Sequence, residues 1–311
     1  MGIGFGHGHG HGHHHGHHDR DAMADSAEGI RAVKVSLVVL GITAAAQVAV
    51  LLVSGSVALF ADTVHNLSDA LTAVPLWIAF ALGARAATRH YTYGLGRAED
   101  LAGLFVVAMI ALSAVVALVE AVRRLIEPVP LHHLGCVAAA GLVGFAGNEI
   151  VAVYRIRVGK RIGSAALRAD GMHARADGLT SLAVVAGAVG VGLGFPAADP
   201  IVGLVIAGAI AMVMVVAARD VFGRLLDRID PQLVDDARSA LDRLAGVQSV
   251  RRVRMRWVGH RLDADVEIDV EPDLSLAQAH QLAHDAEHQL THAIPKLDTV
   301  IVHAYPAHVS N

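Results

Sequence analysis

Charge is scarce in this chain. Only 17% of its 311 residues are Asp, Glu, Lys or Arg, where soluble domains carry about 25%. With 54% hydrophobic residues and a mean hydropathy of +0.50, this excludes an ordinary soluble globule and points to a membrane protein. Positive charge is not in excess: the net charge is −4 at neutral pH, so no global basic surface argues for nucleic acid as a partner. Cysteine is nearly absent. Cys136 stands alone in an apolar run, which rules out an intrachain disulfide and any C-x-x-C zinc or redox motif. There is no H-E-x-x-H stretch, and no cleavable leader is expected, because the first apolar run starts only near Val35. Histidine, by contrast, occurs twenty times. A metal site here must be built from His, Asp, Glu, backbone or water.

Eight of these histidines crowd the start of the chain. His7, His9, His11, His13, His14, His15, His17 and His18 are interleaved with Gly. That composition builds no core and reads as a disordered tail, residues 1–30, that collects metal weakly. Apolar runs follow at about 32–53, 58–83, 99–122, 134–154, 173–194 and 199–218, each near the ~20 residues a helix needs to cross a bilayer. Six spans over residues 31–218 put both termini on one side, and Lys and Arg choose the side. Arg20, Arg31, Lys34, Arg85, Arg89, Arg97, Arg155, Arg157, Lys160, Arg161, Arg168, Arg219, Arg224 and Arg228 flank one face, against only Arg123 and Arg124 on the other. Both termini are expected in the cytoplasm, and the plasma (inner) membrane is the expected location.

From residue 219 to 311 the pattern changes. Asp230 and Pro231 open a helix as N-cap and first residue. Val253, Met255 and Trp257 alternate as in a strand. After Gly259 and His260, Leu262, Ala264, Val266, Ile268 and Val270 alternate strictly with Asp263, Asp265, Glu267, Asp269 and Glu271. A helix from about Ser275 to Ala293 and a strand DTVIVHAY complete the order αββαβ, expected to form a cytoplasmic α+β domain with one antiparallel sheet.

One pattern occurs twice inside apolar surroundings. Residues 61–72 read ADTVHNLSDALT and residues 169–180 read ADGMHARADGLT. An ionisable group at mid-membrane costs roughly 2.5–3.5 kcal/mol on insertion scales and marks function. His65 and Asp69, and likewise His173 and Asp177, are four apart and share a helical face. Two such pairs supply two imidazoles and two carboxylates, a full tetrahedral set for zinc. Their helices run antiparallel and can converge near the midplane. Asp62, on the same stripe toward the outer surface, and Asp170, at the cytoplasmic mouth, suit metal access, proton relay or helix capping equally. His280, His284, His288 and His292 recur every four residues on one helix, where only adjacent members could share a metal; for the last three a solvated polar face is favoured.

The chain resembles the cation diffusion facilitator family of zinc-type transporters. The resemblance rests on the two H-x-x-x-D motifs, on YGLGRAEDL from Tyr93, on LLDRIDP from Leu225, on DLSLAQAH from Asp273 and on VIVHAYP from Val300, and it covers residues 30–306. It implies a homodimer of six-helix protomers exchanging cytoplasmic divalent metal for protons, with a cytoplasmic domain of ferredoxin or metallochaperone type. It also implies a metal site in that domain from His280 and His303, with Asp265 and Glu267 where some relatives have a His, although Tyr305 replaces an Asp. Arg97 and Asp227 match a charge pair that locks the bundle at the domain junction. Some relatives carry another site between spans two and three; Thr88, Tyr91 and Leu95 stand where its ligands would be, and His90 alone builds none. His in both membrane motifs resembles zinc-selective members, whereas Asp in place of the span-two His goes with cadmium.

The residues therefore predict a secondary active transporter, not an enzyme. Zn2+ binds the deprotonated quartet, and protons from the far side displace it. Histidine, with an ordinary pKa of about 6.5, is the natural exchange group. Cobalt, nickel or cadmium are the alternative cargoes, and a metal sensor without transport is the rival of another class. A metallohydrolase would need an open metal position with a base, which a closed four-ligand set does not offer.

Overall fold

The computed structural model describes residues 15–54, 73–127, 134–195 and 197–307. Helix α1 runs His15–Ser54, α2 Ala73–Gly83, α3 Arg97–Ile126, α4 Leu134–Ile162, α5 Ala165–Gly192 and α6 Ala198–Leu225. Among the described residues, five of these six are long and apolar enough to cross a membrane. The described part of α2 covers only the end of the predicted second span. The chain is a multi-pass integral membrane protein.

The membrane helices pack α1 on α4, α4 on α5, α5 on α6 and α3 on both α5 and α6. Small residues allow the closest approaches. A Cβ on Gly144 of α4 would lie 2.9 Å from both Gln47 Nε2 of α1 and Ser181 Oγ of α5, so three helices meet there only because no side chain intervenes. Outward-facing Leu112, Val115, Val116, Val119, Val205 and Met212 stay exposed, as an apolar surface against lipid should.

Two sequence expectations about this part are corrected. Residues 15–30, assigned to a disordered tail, are helical, and Ser26 is buried. Helix α1 begins before its apolar span, which starts at Met23. The predicted fourth loop is also largely helix. Arg155, Arg157, Lys160 and Arg161 lie on α4 and Arg168 on α5, with Gly163 and Ser164 as the joint. Gly163 takes φ +81°, a conformation open to glycine, and Ser164 caps α5 by accepting from Leu167 N–H at 3.0 Å.

Beyond α6 come α7 (Pro231–Asp242), β1 (Val247–Val258), β2 (Arg261–Val270), α8 (Leu276–Ala293) and β3 (Leu297–Pro306). Asp230 caps α7, accepting from Gln232 N–H at 3.1 Å. Leu262, Ala264, Val266, Ile268 and Val270 are all buried under α7 and α8, as the alternation required. The sheet order is β1-β2-β3. β1 and β2 are antiparallel, but β2 and β3 are parallel, so the expected all-antiparallel sheet is corrected to a mixed one. A helix between two strands of one sheet carries the chain back to its starting end, and the second strand then runs parallel to the first.

Candidate functional site in the membrane and its cytoplasmic cover

His173 and Asp177 project from α5 on one face, 1% and 4% exposed. Because α5 starts at Ala165, His173 sits roughly 12 Å along the helix, deeper than a span beginning at residue 173 suggested. His173 Nδ1 and Asp177 Oδ1 are 3.7 Å apart. Nitrogen and oxygen donors in a tetrahedral zinc site stand about 3.4 Å apart, so the pair is within a few tenths of an ångström of a two-ligand bite. Buried polar groups surround that stretch: Thr43 and Gln47 on α1, Asn148 on α4 and Ser181 on α5. The partner motif, His65 and Asp69, lies outside the described residues, as do Asp62 and His7 to His14.

Asp170, for which metal access, proton relay and helix capping were left open, stands in an ion pair. Its Oδ2 is 2.8 Å from Arg155 Nη1 of α4, and the two side chains are 0% and 2% exposed. It is the carboxylate half of a fully buried ion pair, one turn before His173. Arg168 of α5 pairs with Asp220 of α6 at 3.0 Å, and Arg161 pairs with Glu28 of α1. The basic residues read as topology signals thus also tie the cytoplasmic helix ends together.

The cytoplasmic end of the bundle is covered by a feature that the sequence pattern did not reveal. The β1–β2 hairpin tip, Val258-Gly259-His260, inserts among the helix ends. His260 is buried, with Nδ1 2.8 Å from Glu99 Oε2 of α3 and Nε2 3.3 Å from Ser26 Oγ of α1. Its ring centroid is 6.0 Å from that of Phe80 of α2. Gly259 N–H donates to Asp100 Oδ2 at 3.3 Å, and Arg224 of α6 donates to the Gly259 carbonyl at 3.1 Å. Gly259 is required twice over: its φ is +63°, and a Cβ would lie 2.8 Å from the Gly96 carbonyl oxygen. The one available signal was Gly-His at a turn, which reads as a simple hairpin.

Arg97 Nη2 and Asp227 Oδ1 are 3.2 Å apart, with side chains 42% and 52% exposed. The other guanidinium arm reaches Asp100 at 3.4 Å. The charge pair that the motif resembles is thus present as an exposed pair with a single contact.

The four residues proposed for a metal site in the cytoplasmic domain do not converge within one protomer. Glu267 and His303 are register partners across β2 and β3, on the sheet face away from the helices, and Asp265 shares that face. His280 belongs to α8, which covers the opposite face, and its ring stacks against His284 at 4.9 Å. Glu267 is engaged by Arg252 at 3.3 Å. Arg251 holds Asp269 at 2.7 Å, and Arg256 lies 3.9 Å from Asp263. The carboxylate row is answered by an arginine row on β1. Burial raises the Asp263 carboxyl above its ordinary range; Arg256 opposes this, while Asp298 and Asp265 add to it. Among the described residues no group of three or more His, Cys, Asp or Glu stands close enough to hold a metal.

Comparison with known proteins accords with this architecture. Residues 33–226 match the cation efflux transmembrane domain, and residues 229–307 match the cation efflux protein cytoplasmic domain. A cation efflux system protein of Mycobacterium tuberculosis (strain ATCC 25618 / H37Rv) is 67% identical over 287 residues, 92% of this chain and 86% of that one. Metal tolerance protein 2 of Oryza sativa subsp. japonica is 27% identical over 80% of this chain and 71% of its own length. The manganese efflux system protein MneP of Bacillus subtilis (strain 168) is 24% identical over 82% and 88%. A helical membrane bundle with a buried His–Asp pair, a mixed-sheet cytoplasmic domain and two matching family models together place the chain in the cation diffusion facilitator family, whose members move divalent cations out across membranes.

Proposed function

We propose that the chain exports Zn2+ from the cytoplasm in exchange for protons, as a homodimer in the plasma membrane with both termini cytoplasmic. The observation that carries this is the His173–Asp177 pair: two metal donors on one helix face, both buried in the membrane domain and spaced near a tetrahedral bite. The sequence repeats the motif as His65 and Asp69, which completes a two-imidazole, two-carboxylate set. Such a set suits zinc, cobalt or nickel, whereas manganese prefers all-oxygen ligands.

The chemistry is competition. Metal takes the lone pairs of His173 and His65 only when they are unprotonated, and it displaces no strong covalent partner. Protons arriving from the outer side convert imidazole to imidazolium and dismiss the cation, and the protonated site returns inward. No bond to carbon is made or broken, so no nucleophile or general base is needed.

The similarity to a relative named for manganese makes manganese the second reading. Reconstitution in proteoliposomes, with Zn2+, Co2+, Ni2+, Cd2+ and Mn2+ compared under an imposed pH gradient, tests both. Zinc flux that collapses with the gradient is expected. Manganese flux exceeding zinc, or zinc flux indifferent to the gradient, would overturn the proposal.

A further inference from the structure

We propose that His288 and His292, on the solvent face of α8, form a separate two-imidazole site for a borderline divalent cation such as Zn2+ or Ni2+. Their Nε2 atoms are 3.3 Å apart, and their ring centroids are 4.5 Å apart at an interplanar angle of 69°. Two nitrogens bound to one tetrahedral metal at about 2.0–2.1 Å are separated by about 3.3–3.4 Å. The pair already spans the bite of a metal chelate.

The fold fixes this geometry. Ala283, Ala286 and Leu290 bury the opposite stripe of α8 in the domain core. Ser275 and Gln278 close its first turn as a reciprocal cap. Residues 288 and 292 are left one turn apart, both exposed. The neighbouring pair differs: His284 turns Nδ1 toward Glu287 Oε2 at 3.2 Å. Two exposed protein ligands make a site that exchanges cation readily and is suited to collecting it.

His292 borders a groove of about 580 Å³ between α1 and the cytoplasmic domain, lined also by Asp25, His260, Arg261, Lys296 and Asp298. Lys296 and Asp25 pair at 2.6 Å, and Arg261 and Asp298 at 3.5 Å, so these charges largely cancel. Without metal, one Nε2–H can donate to the other Nε2. Metal binding needs both Nε2 lone pairs. From the neutral pair this moves one proton from Nε2 to Nδ1 of the same ring; from the singly protonated pair it releases one proton to solvent.

The site does not depend on the transport reading, and its test is site-resolved. Full-length protein in detergent is treated with diethylpyrocarbonate across a zinc titration, and modification of each histidine is read by mass spectrometry. At zinc about ten times the dissociation constant, His288 and His292 should react about tenfold more slowly, with one shared midpoint. His292→Ala should abolish protection of His288, and His288→Ala that of His292, while His280→Ala and Asp177→Ala leave both protected. Both test substitutions lie on an exposed helix face and place a good helix former there. Protection of His288 that survives His292→Ala, protection lost in Asp177→Ala, or no protection at millimolar zinc would each overturn the proposal.

Discussion

His260 Nδ1 and Glu99 Oε2 meet at 2.8 Å although 161 residues separate them in the chain, and both side chains are almost fully buried. The contact joins the tip of the β1–β2 hairpin to the first turn of α3. Removing one partner of a buried hydrogen bond leaves the other polar group unsatisfied and costs about 1–3 kcal/mol. His260→Ala and Glu99→Gln should therefore each release the hairpin, seen as faster amide exchange over residues 255–262. The double variant should lose less than the sum. Strictly additive effects in that cycle would show that the two groups act separately.

The membrane pair gives a sharper separation of folding from transport. Asp177→Ala should abolish zinc flux while leaving the protein folded, since it removes a ligand without adding volume. His65→Asp should retain flux and raise the cadmium-to-zinc ratio, because an oxygen donor replaces an imidazole. Wild-type flux in Asp177→Ala, measured in the same vesicles, would remove it from the transport site.

Arg155 and Asp170 form a pair sealed from solvent. Asp170→Asn should destabilise the detergent-solubilised protein by about 3–5 kcal/mol. The apolar replacement of both, Arg155→Met with Asp170→Leu, should recover most of that in thermal unfolding. Equal losses in the single and double variants would mean that packing, not pairing, sets the cost.

Arg97 and Asp227 stand at the other extreme. Exposed ion pairs are worth about 0–1 kcal/mol, so Asp227→Asn, which removes the charge and still suits the residue's φ of +56°, should change stability by less than about 1 kcal/mol, with the difference vanishing in high salt. Arg97→Ala should cost somewhat more, since Arg97 also reaches Asp100. A large, salt-insensitive loss in Asp227→Asn would show that the pair contributes far more than its exposure allows.

Asp263 contributes a pH dependence to the stability of the cytoplasmic domain. Its carboxyl is raised in the folded state, chiefly by desolvation. The folded state then holds a proton that the unfolded state has released, so stability falls as pH rises from about 4 through the raised value. Asp263→Asn should remove that fall and gain stability at neutral pH while changing little in acid. Identical pH–stability curves for the two proteins would refute the assignment.

The sequence made the periodic features legible. Strict alternation in β2 predicted which residues are buried, and Asp230-Pro231 marked the start of α7, because both depend on local geometry alone. The H-x-x-x-D spacing put His173 and Asp177 on one face for the same reason. What stayed hidden needs contacts between distant segments. Arg155 reads as a loop cation until Asp170 is found beside it. The pairing of Glu267 with Arg252 emerges only when β1 is laid against β2 in register. His260 reads as a turn residue until the bundle end closes around it. The parallel partner of β2 also depends on where α8 returns the chain, which no alternation records.

The joint between α4 and α5 has a mechanical meaning. Only Gly163 and Ser164 separate the two helices, and a Cβ on Gly163 would come within 3.4 Å of the His260 carbonyl oxygen and 3.5 Å of the Trp257 ring. A link that short has no slack. The hairpin tip and the start of α5 are close neighbours at this joint, and His173 lies about two turns further along the same helix. A side chain at position 163 would therefore be felt twice, against the hairpin at His260 and Trp257 and in a backbone whose φ of +81° disfavours it.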